Sequence, residues 1–405
     1  MKKKLGDDKL TLRIQQQGLV YRLVEQFEEI SRIDLAKLSQ LAPATITSLT
    51  RDLINKKLLI EKAVRNTESR GRPAIGLCVS PFYWQSLCAI LSEDRFNLLL
   101  CELDGTPIEE KSYPLNLKKN KKLGDTLLKY LQDFLSLTEG KMPHPITFSV
   151  AVVGELDDKD NIVRLGQKNI KLNLKSLFKP YFNIPILIKE YFEAWLLWES
   201  SLGTVIGYNN VLFLQVDDII NLSILSEGKI FSPNNNIKID INTLSVPRFS
   251  TLQDVIYPAL PDVERYQLKN QITYDAIYEL IDFTYPNNGL ENTPEKFKYL
   301  TQKFNDGEQS AIELFNFVAD SLAYILMNLV KIFSSQKIML ISGLLQLNTE
   351  FVARINKKLT ELLIGTPFSA EVLTSRYEWN DPIVISAAIK RGIYDGTLLQ
   401  NLTRN

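Results

Sequence analysis

Histidine is almost missing from this chain: His144 is the single one in 405 residues. One imidazole cannot build a histidine-ligated metal site or serve a chemistry that needs several histidines. Cysteine is scarce too. Cys78, Cys88 and Cys101 are the three present, all within one short segment, and an odd number cannot fully pair. That excludes a disulfide framework and fits a reducing cytoplasm. No uninterrupted apolar run approaches the roughly 18–20 residues of a membrane span. The opening Met1-Lys2-Lys3-Lys4-Leu5-Gly6-Asp7-Asp8 is basic but lacks the apolar stretch of a signal peptide. We therefore expect a cytoplasmic protein with no membrane insertion. Net charge is absent as well, with 47 Lys and Arg against 47 Asp and Glu.

What is present is a soluble globular composition, 45% hydrophobic and 23% charged. At ~100–200 residues per domain the length suits two to four domains. The balanced charge is unevenly distributed. Residues 1–75 hold 15 Lys and Arg and 9 Asp and Glu, a net of +6, so the remainder carries −6. A basic head on an acidic body points to an anionic partner for the head, most often nucleic acid. The alternative is a merely well-solvated surface.

The residues of the head decide between these. Leu10 to Phe27 has apolar residues at helical spacing. Ser31 is a good N-cap for a short helix, with Asp34 at its third position. Ser39-Gln40-Leu41-Ala42 makes a turn. Pro43 suits the first position of a further helix, having no amide hydrogen to leave unpaired. That helix runs through Thr45, Ile46, Leu49, Leu53 and Ile54. Helix, short helix, tight turn and helix is the helix-turn-helix plan. The exposed face of the third helix carries Ala44, Thr45, Thr47, Ser48 and Arg51. Small and hydroxyl-bearing residues admit a helix deep into the major groove, and Arg51 can reach a guanine edge or a phosphate. Lys56 to Lys62 reads as a strand opening a wing. Ser69-Arg70-Gly71-Arg72-Pro73 closes the head. An extended segment with Arg70 and Arg72 flanking a glycine suits a narrow minor groove, or else is a plain linker. Arg32 and Pro43, at the starts of the second and third helices, complete the candidate DNA-binding set.

Ile30-Ser31-Arg32-Ile33-Asp34-Leu35-Ala36 and Ser39-Gln40-Leu41-Ala42-Pro43-Ala44-Thr45-Ile46-Thr47, followed by Gly71-Arg72-Pro73-Ala74-Ile75, resemble the DNA-binding head of the ROK-family sugar repressors. The resemblance covers nearly the whole chain, strongly in the head and at the carboxyl end, weakly between.

The body alternates strands and helices. Strands are expected at Leu87–Leu91, Phe96–Leu103, Ile146–Val153, Ile184–Ile188 and Lys337–Ser342, with a hairpin at Val211–Val216 and Ile220–Leu225. Helices are expected over Gly124–Leu137, Phe192–Leu202, Ala311–Ser335, Phe351–Leu363 and Asp381–Leu399. Asp104-Gly105 is a turn, and Lys118 to Lys122 reads as a solvated loop or a second anion patch. The order argues for an α/β body. The resemblance makes it the two-lobed sugar-kinase/actin-like (ROK) body. Residues 1–80 are then the winged helix-turn-helix and linker, and 81–190 a first lobe completed by 381–405. Residues 191–380 form a second lobe with an oligomerisation role.

The resemblance also shows what is degenerate. Sugar-binding members open the helix after the Ile184–Ile188 strand with an Asn-Asp or His-Asp pair. Here Glu190-Tyr191 stands there, and a tyrosine titrating near ~10 cannot replace a carboxylate base at neutral pH. Glu190 could serve after a one-residue shift. The family's glycine-rich turn falls on Asp217-Asp218-Ile219-Ile220-Asn221, where carboxylates would repel a phosphate. Its Glu-x-Gly-His motif falls on Asp240-Ile241-Asn242-Thr243, so Thr243 stands at the zinc-ligand position. Its cysteine-rich zinc motif has no counterpart, since no cysteine follows Cys101. No metal or other cofactor is expected. Trp195, Trp198 and Tyr191 at helical spacing read as core or interface before they read as a sugar-stacking platform.

The resulting expectation is a transcriptional regulator rather than an enzyme. It is a repressor of sugar uptake or catabolism genes, binding double-stranded DNA as a homodimer or tetramer on a palindrome. Three rivals stand beside it. One is a protein-interaction sensor, because some relatives are sequestered by a membrane sugar transporter component. Another is a regulator answering to a sugar or sugar phosphate. The last is a sugar kinase with an appended head.

Overall fold

The structure, a computed structural model, describes residues 2–63, 75–103, 105–117, 122–157, 159, 161–166, 168–231, 239–286, 288–290, 294–346, 350–377 and 382–402. Arg70, Arg72, Asp104, Lys118 to Lys121 and Asp381 lie outside them. Two compact units emerge, Met1–Leu197 with Trp379–Asn405, and Trp198–Glu378.

The first unit opens on α1 (Lys2–Gln26). A short strand, β1 (Ile30–Ser31), leads into α2 (Arg32–Ser39), whose N-cap hydroxyl on Ser31 accepts from the Asp34 amide. Gln40 turns the chain at φ 56°, and Pro43 begins α3 (Pro43–Asn55). Strands β2 (Leu59–Ala63) and β3 (Ile75–Val79) follow, and the sheet order is β1-β3-β2, antiparallel throughout. Val20, Tyr21 and Val24 of α1 meet Leu35, Ile46, Leu49 and Leu53 in the head core, each with no exposed surface.

The lobe of this unit contains β4 (Gln85–Leu91), β5 (Arg95–Glu102), β6 (Pro107–Pro114), α4 (Leu123–Leu137) and β7 (Pro145–Val152). A small antiparallel meander follows, β8 (Gly154–Leu156), β9 (Asn161–Leu165) and β10 (Lys168–Asn173). Then come α5 (Leu174–Phe178), β11 (Ile186–Glu190) and α6 (Tyr191–Ser201). The large sheet runs β11-β7-β4-β5-β6, with β4, β7 and β11 parallel and β4, β5 and β6 antiparallel. Leu127, Leu131 and Phe134 of α4, spaced three and four apart, are buried in the lobe's core.

The second unit has β12 (Val211–Val216), β13 (Ile220–Ser226) and β14 (Lys229–Ile230). Helices α7 (Leu252–Val255), α8 (Asp262–Arg265), α9 (Lys269–Ile272), α10 (Tyr274–Thr284), α11 (Pro294–Asn305) and α12 (Gln309–Phe333) follow. The unit ends with β15 (Lys337–Ile341), α13 (Glu350–Leu363) and β16 (Glu371–Thr374). Its sheet, β14-β13-β12-β15-β16, repeats the plan of the first: an antiparallel three-strand meander, then two parallel strands. Although no uninterrupted apolar run reaches the length of a span, α12 is long and apolar enough to cross a membrane. It is a core helix here, with Leu314, Phe317, Val318, Leu322, Ile325, Leu326 and Leu329 all buried.

The chain returns to the first unit as α14 (Pro382–Tyr394) and α15 (Thr397–Asn401). A single helix is expected over Asp381–Leu399. Gly396, at φ 84°, divides it instead, because a left-handed residue ends an α-helix. The strand expected at Ile184–Ile188 lies two residues later, and α1 begins earlier than Leu10.

Candidate nucleic-acid interface

One face of α3 is fixed by burial and the opposite face is open. Ile46, Leu49 and Leu53 are fully buried, whereas Pro43, Ala44, Thr47 and Arg51 are exposed and Thr45 and Ser48 half-buried. The hydroxyl of Thr47 donates to the Pro43 carbonyl at 2.9 Å, which leaves its oxygen an acceptor with a methyl beside it. Ser48 Oγ accepts from Arg13 Nη2 at 3.0 Å, so its own proton is free to donate. Arg51 has no hydrogen bond or ion pair among the described residues. An acceptor, a donor and a guanidinium thus share one exposed helix face, the chemistry that reads base edges in a major groove.

Arg32 is differently placed. Its Nε donates to Thr50 Oγ1 at 3.1 Å and its Nη2 to Glu61 Oε1 at 2.6 Å, joining α3 to the wing strand β2. Arg13, which carries no motif signal, bonds Ser48 and forms an ion pair with Asp52. Gln17 donates to the same Asp52 carboxylate at 3.1 Å. Burial is the main influence pushing the Lys56 ammonium below its ordinary pKa, and it sits where it can donate to Gln17 Oε1 and the Leu399 carbonyl.

Most of the body residues singled out by the family resemblance are engaged in contacts within their own unit. In the first unit, the Glu190 carboxylate accepts from the Glu193 amide at 2.9 Å and so caps α6. Tyr191 is fully buried, its ring edge-on to Phe192 and Trp195. Trp195 is buried too, and so is Trp198, the first residue of the second unit; neither forms an open stacking surface.

In the second unit, Asp217 and Asp218 occupy the β12–β13 turn. Asp217 Oδ1 accepts from the Tyr274 hydroxyl and from the Gly343 amide at 3.1 Å, and Oδ2 accepts from Gln215 at 2.8 Å. The Gly343 amide also donates to Tyr274 Oη at 2.6 Å. A Cβ at Gly343 would lie 2.3 Å from that oxygen, so only glycine fits. A phosphate at this turn would have to displace a carboxylate from the amide that would cradle it. Burial first, then Asp217, holds the Tyr274 phenol far above its usual pKa. Asp218 is exposed, and partial burial with the charges of Asp275 and Asp217 raises its carboxyl. Asp240 Oδ1 accepts from the amide and the side chain of Asn242 at 2.8 and 2.7 Å, and Thr243 is exposed in the turn that follows. Asn242 donates to the Ile220 carbonyl at 3.4 Å, which sets this loop beside β13.

The donors at residues 240–243 do not fit a zinc ion, which takes Cys and His in structural sites. All three cysteines lie on β3, β4 and β5 of the first unit, buried. Among the described residues, no three His, Cys, Asp or Glu side chains gather so as to hold a metal.

No family model matches the chain. It is similar to the DNA-binding transcriptional repressor Mlc of Escherichia coli K12, with 24% identity over 393 residues and 95% of each chain covered. It is 24% identical over 398 residues to the dual regulator NagC of the same organism, again covering 95% of each. A crystal structure of a ROK-family transcriptional regulator homologous to Mlc superposes with a TM-score of 0.78 at 20% identity, covering 98% of this chain and 100% of that one. A ROK hexokinase from Thermus thermophilus matches 76% of this chain and 97% of its own at 15% identity, with a TM-score of 0.59. The fold is therefore that of a ROK-family regulator, and along nearly its whole length the chain is similar to Mlc and NagC.

Proposed function

We propose that the chain is a DNA-binding transcriptional regulator, a repressor of sugar uptake or catabolism genes. The observation that carries this reading is the exposed face of α3, where Thr47, Ser48 and Arg51 present an acceptor, a donor and a guanidinium from a head of net charge +6. The repressor Mlc and the dual regulator NagC, similar to it over 95% of the chain, support the same reading. In this account α3 enters the major groove. Arg70 and Arg72 reach the minor groove. Two heads of a symmetric oligomer read half-sites about one duplex turn apart. The protein works in the cytoplasm and is not an enzyme.

Within this function, the Asp217–Tyr274–Gly343 network favours a partner protein over a sugar or sugar phosphate as the body's effector. That network fills a phosphate turn with a carboxylate, and Tyr191 fills the base position with a buried ring. A thermal-shift screen of sugars and sugar phosphates tests this, since a ligand bound only by the folded state raises the melting temperature.

The test of DNA reading is Arg51→Ala against a duplex selected by the wild-type chain. The loss should be about 1–3 kcal/mol, concentrated at one base position per half-site if Arg51 meets a base. If it meets a phosphate, the loss is uniform and the salt slope falls by about one. Unchanged affinity with Arg51, Arg70 and Arg72 each replaced by alanine would make the head an interaction module.

A further inference from the structure

We propose that Arg13 and Arg32 are positioning residues that set the roll of α3 about its own axis and thereby the base preference of the head. The proposal rests on the DNA-binding reading above and adds the residues that aim its reading face.

Apolar burial sets which face of α3 turns inward but holds its fine roll less tightly than base contacts require. Ile46, Leu49 and Leu53 hold α3 at a depth, but the hydrophobic effect is non-directional. A helix with its side chains is ~10–12 Å across, so a roll of about 20° moves a side-chain tip by roughly 2 Å. Hydrogen bonds to a base tolerate only a few tenths of an ångström around their optimum. Something directional must therefore hold the helix.

The two arginines grip opposite flanks. Successive residues turn about 100° around a helix. Ser48 and Asp52, four apart, lie along one flank of α3, where Arg13 from α1 bonds both. Thr50 lies about 200° around from Ser48. There Arg32, the first residue of α2, bonds the Thr50 hydroxyl and also reaches Glu61 on β2. Of the reading residues, Ala44, Thr47 and Arg51 lie between these flanks, and half-buried Ser48 lies at the edge of the face, on the flank that Arg13 holds. Gln17 braces Asp52 further and connects it to Lys56, whose ammonium reaches the Leu399 carbonyl of α15.

Stability alone does not account for these contacts. The Arg13 and Asp52 side chains are 45% and 28% exposed, and those of Arg32 and Glu61 are 28% and 45% exposed. Ion pairs this open contribute little to folding. What they add is direction.

The experiment compares the affinity of the full chain for a duplex it selects from a random library with that for a scrambled duplex of equal length. Arg13→Ala and Arg32→Ala should lower this ratio about tenfold, as when one well-aligned base contact is lost. Asp52→Asn keeps the side chain's size and removes a negative charge. It should raise affinity for scrambled DNA yet lower the ratio. Arg13→Ala combined with Ser48→Ala should cost less than the two separately, because they share one contact. Circular dichroism verifies folding for each variant. If Arg13→Ala weakens both duplexes equally, with a smaller salt slope, Arg13 is a phosphate contact and the proposal is wrong. An unchanged ratio in all three single variants overturns it as well. If wild-type protein selects no sequence, the underlying DNA-binding reading fails first, and this proposal with it.

Discussion

The joint between α1 and α14 offers a sharp test of how the head is held. Lys390 on α14 forms an ion pair with Glu25 on α1, and the Tyr394 hydroxyl donates to the same carboxylate. The two charged side chains are only 4% and 9% exposed. The helices are pressed together here, since a Cβ at Gly18 would lie 2.0 Å from the Tyr394 carbonyl oxygen. Breaking a buried pair by removing one partner costs about 3–5 kcal/mol. Lys390→Met should reach the lower end of that range, since the Tyr394 hydroxyl still donates to Glu25, and Glu25→Gln should destabilise as well. For a unit of this size that corresponds to a melting-point fall of roughly 10 °C. The double variant Glu25→Leu, Lys390→Met removes both charges and should return to within about 1 kcal/mol of wild type. Calorimetric melts read the cycle, and amide exchange in α1 and α14 localises it. Single variants within about 0.5 kcal/mol of wild type, or effects that merely add in the double variant, would refute a buried charge latch at this joint.

Three further outcomes follow from other sites. Asp217→Ala takes the acceptor from the Tyr274 hydroxyl, while the Gly343 amide keeps its bond to Tyr274 Oη, and should cost about 1–3 kcal/mol in a urea melt, with no ATP-dependent phosphorylation of glucose or N-acetylglucosamine appearing. Gln40→Gly relieves a left-handed φ of 56° in the helix-turn-helix turn and should stabilise the protein by roughly 0.5–1 kcal/mol. Burial, with Asp218 and Asp275, pushes the Tyr278 phenol up to about 12. An unfolded tyrosine ionises near ~10, so stability from the neutral phenol is whole below that pH. It is lost as pH climbs from there towards the folded value. Urea midpoints at pH 9 and 11 measure the loss, and Tyr278→Phe should reduce it.

The head was legible because its signals are local. Ser31 with Asp34, Pro43 at a helix start, and Ile46, Leu49 and Leu53 at helical spacing each act within a few residues. Among the strands of the large sheets, β4, β5, β7, β12, β13 and β15 were legible for the same reason, being short apolar runs closed by turns, whereas the edge strands β6, β14 and β16 went unread. Nor was the meander β8–β10, because its strands are short, Lys168–Asn173 is largely polar and mostly part-exposed, and Asn161–Leu165 buries only Ile162 and Leu165 without strict alternation. Nor was the break in the last helix, where Gly396 sits against Ile14 of α1. At the candidate site, the identity of the exposed residues on α3 could be read, but not which of them were already engaged. Arg13 reaches Ser48 across 35 residues, and Arg32 reaches Glu61 across 29. Asp217 finds Gly343 across 126. Such pairings are made by tertiary packing, which leaves no periodicity to detect.

The central claim is that the head reads DNA sequence, and selection from a random double-stranded library by the full-length protein tests it most directly. At physiological salt the account expects enrichment of one inverted repeat, with half-sites spaced by about a duplex turn or a multiple of it. It also expects the repeat to lose its advantage when Arg51 is replaced by alanine. A library that emerges unenriched after repeated rounds, at low salt as well as high, would contradict it.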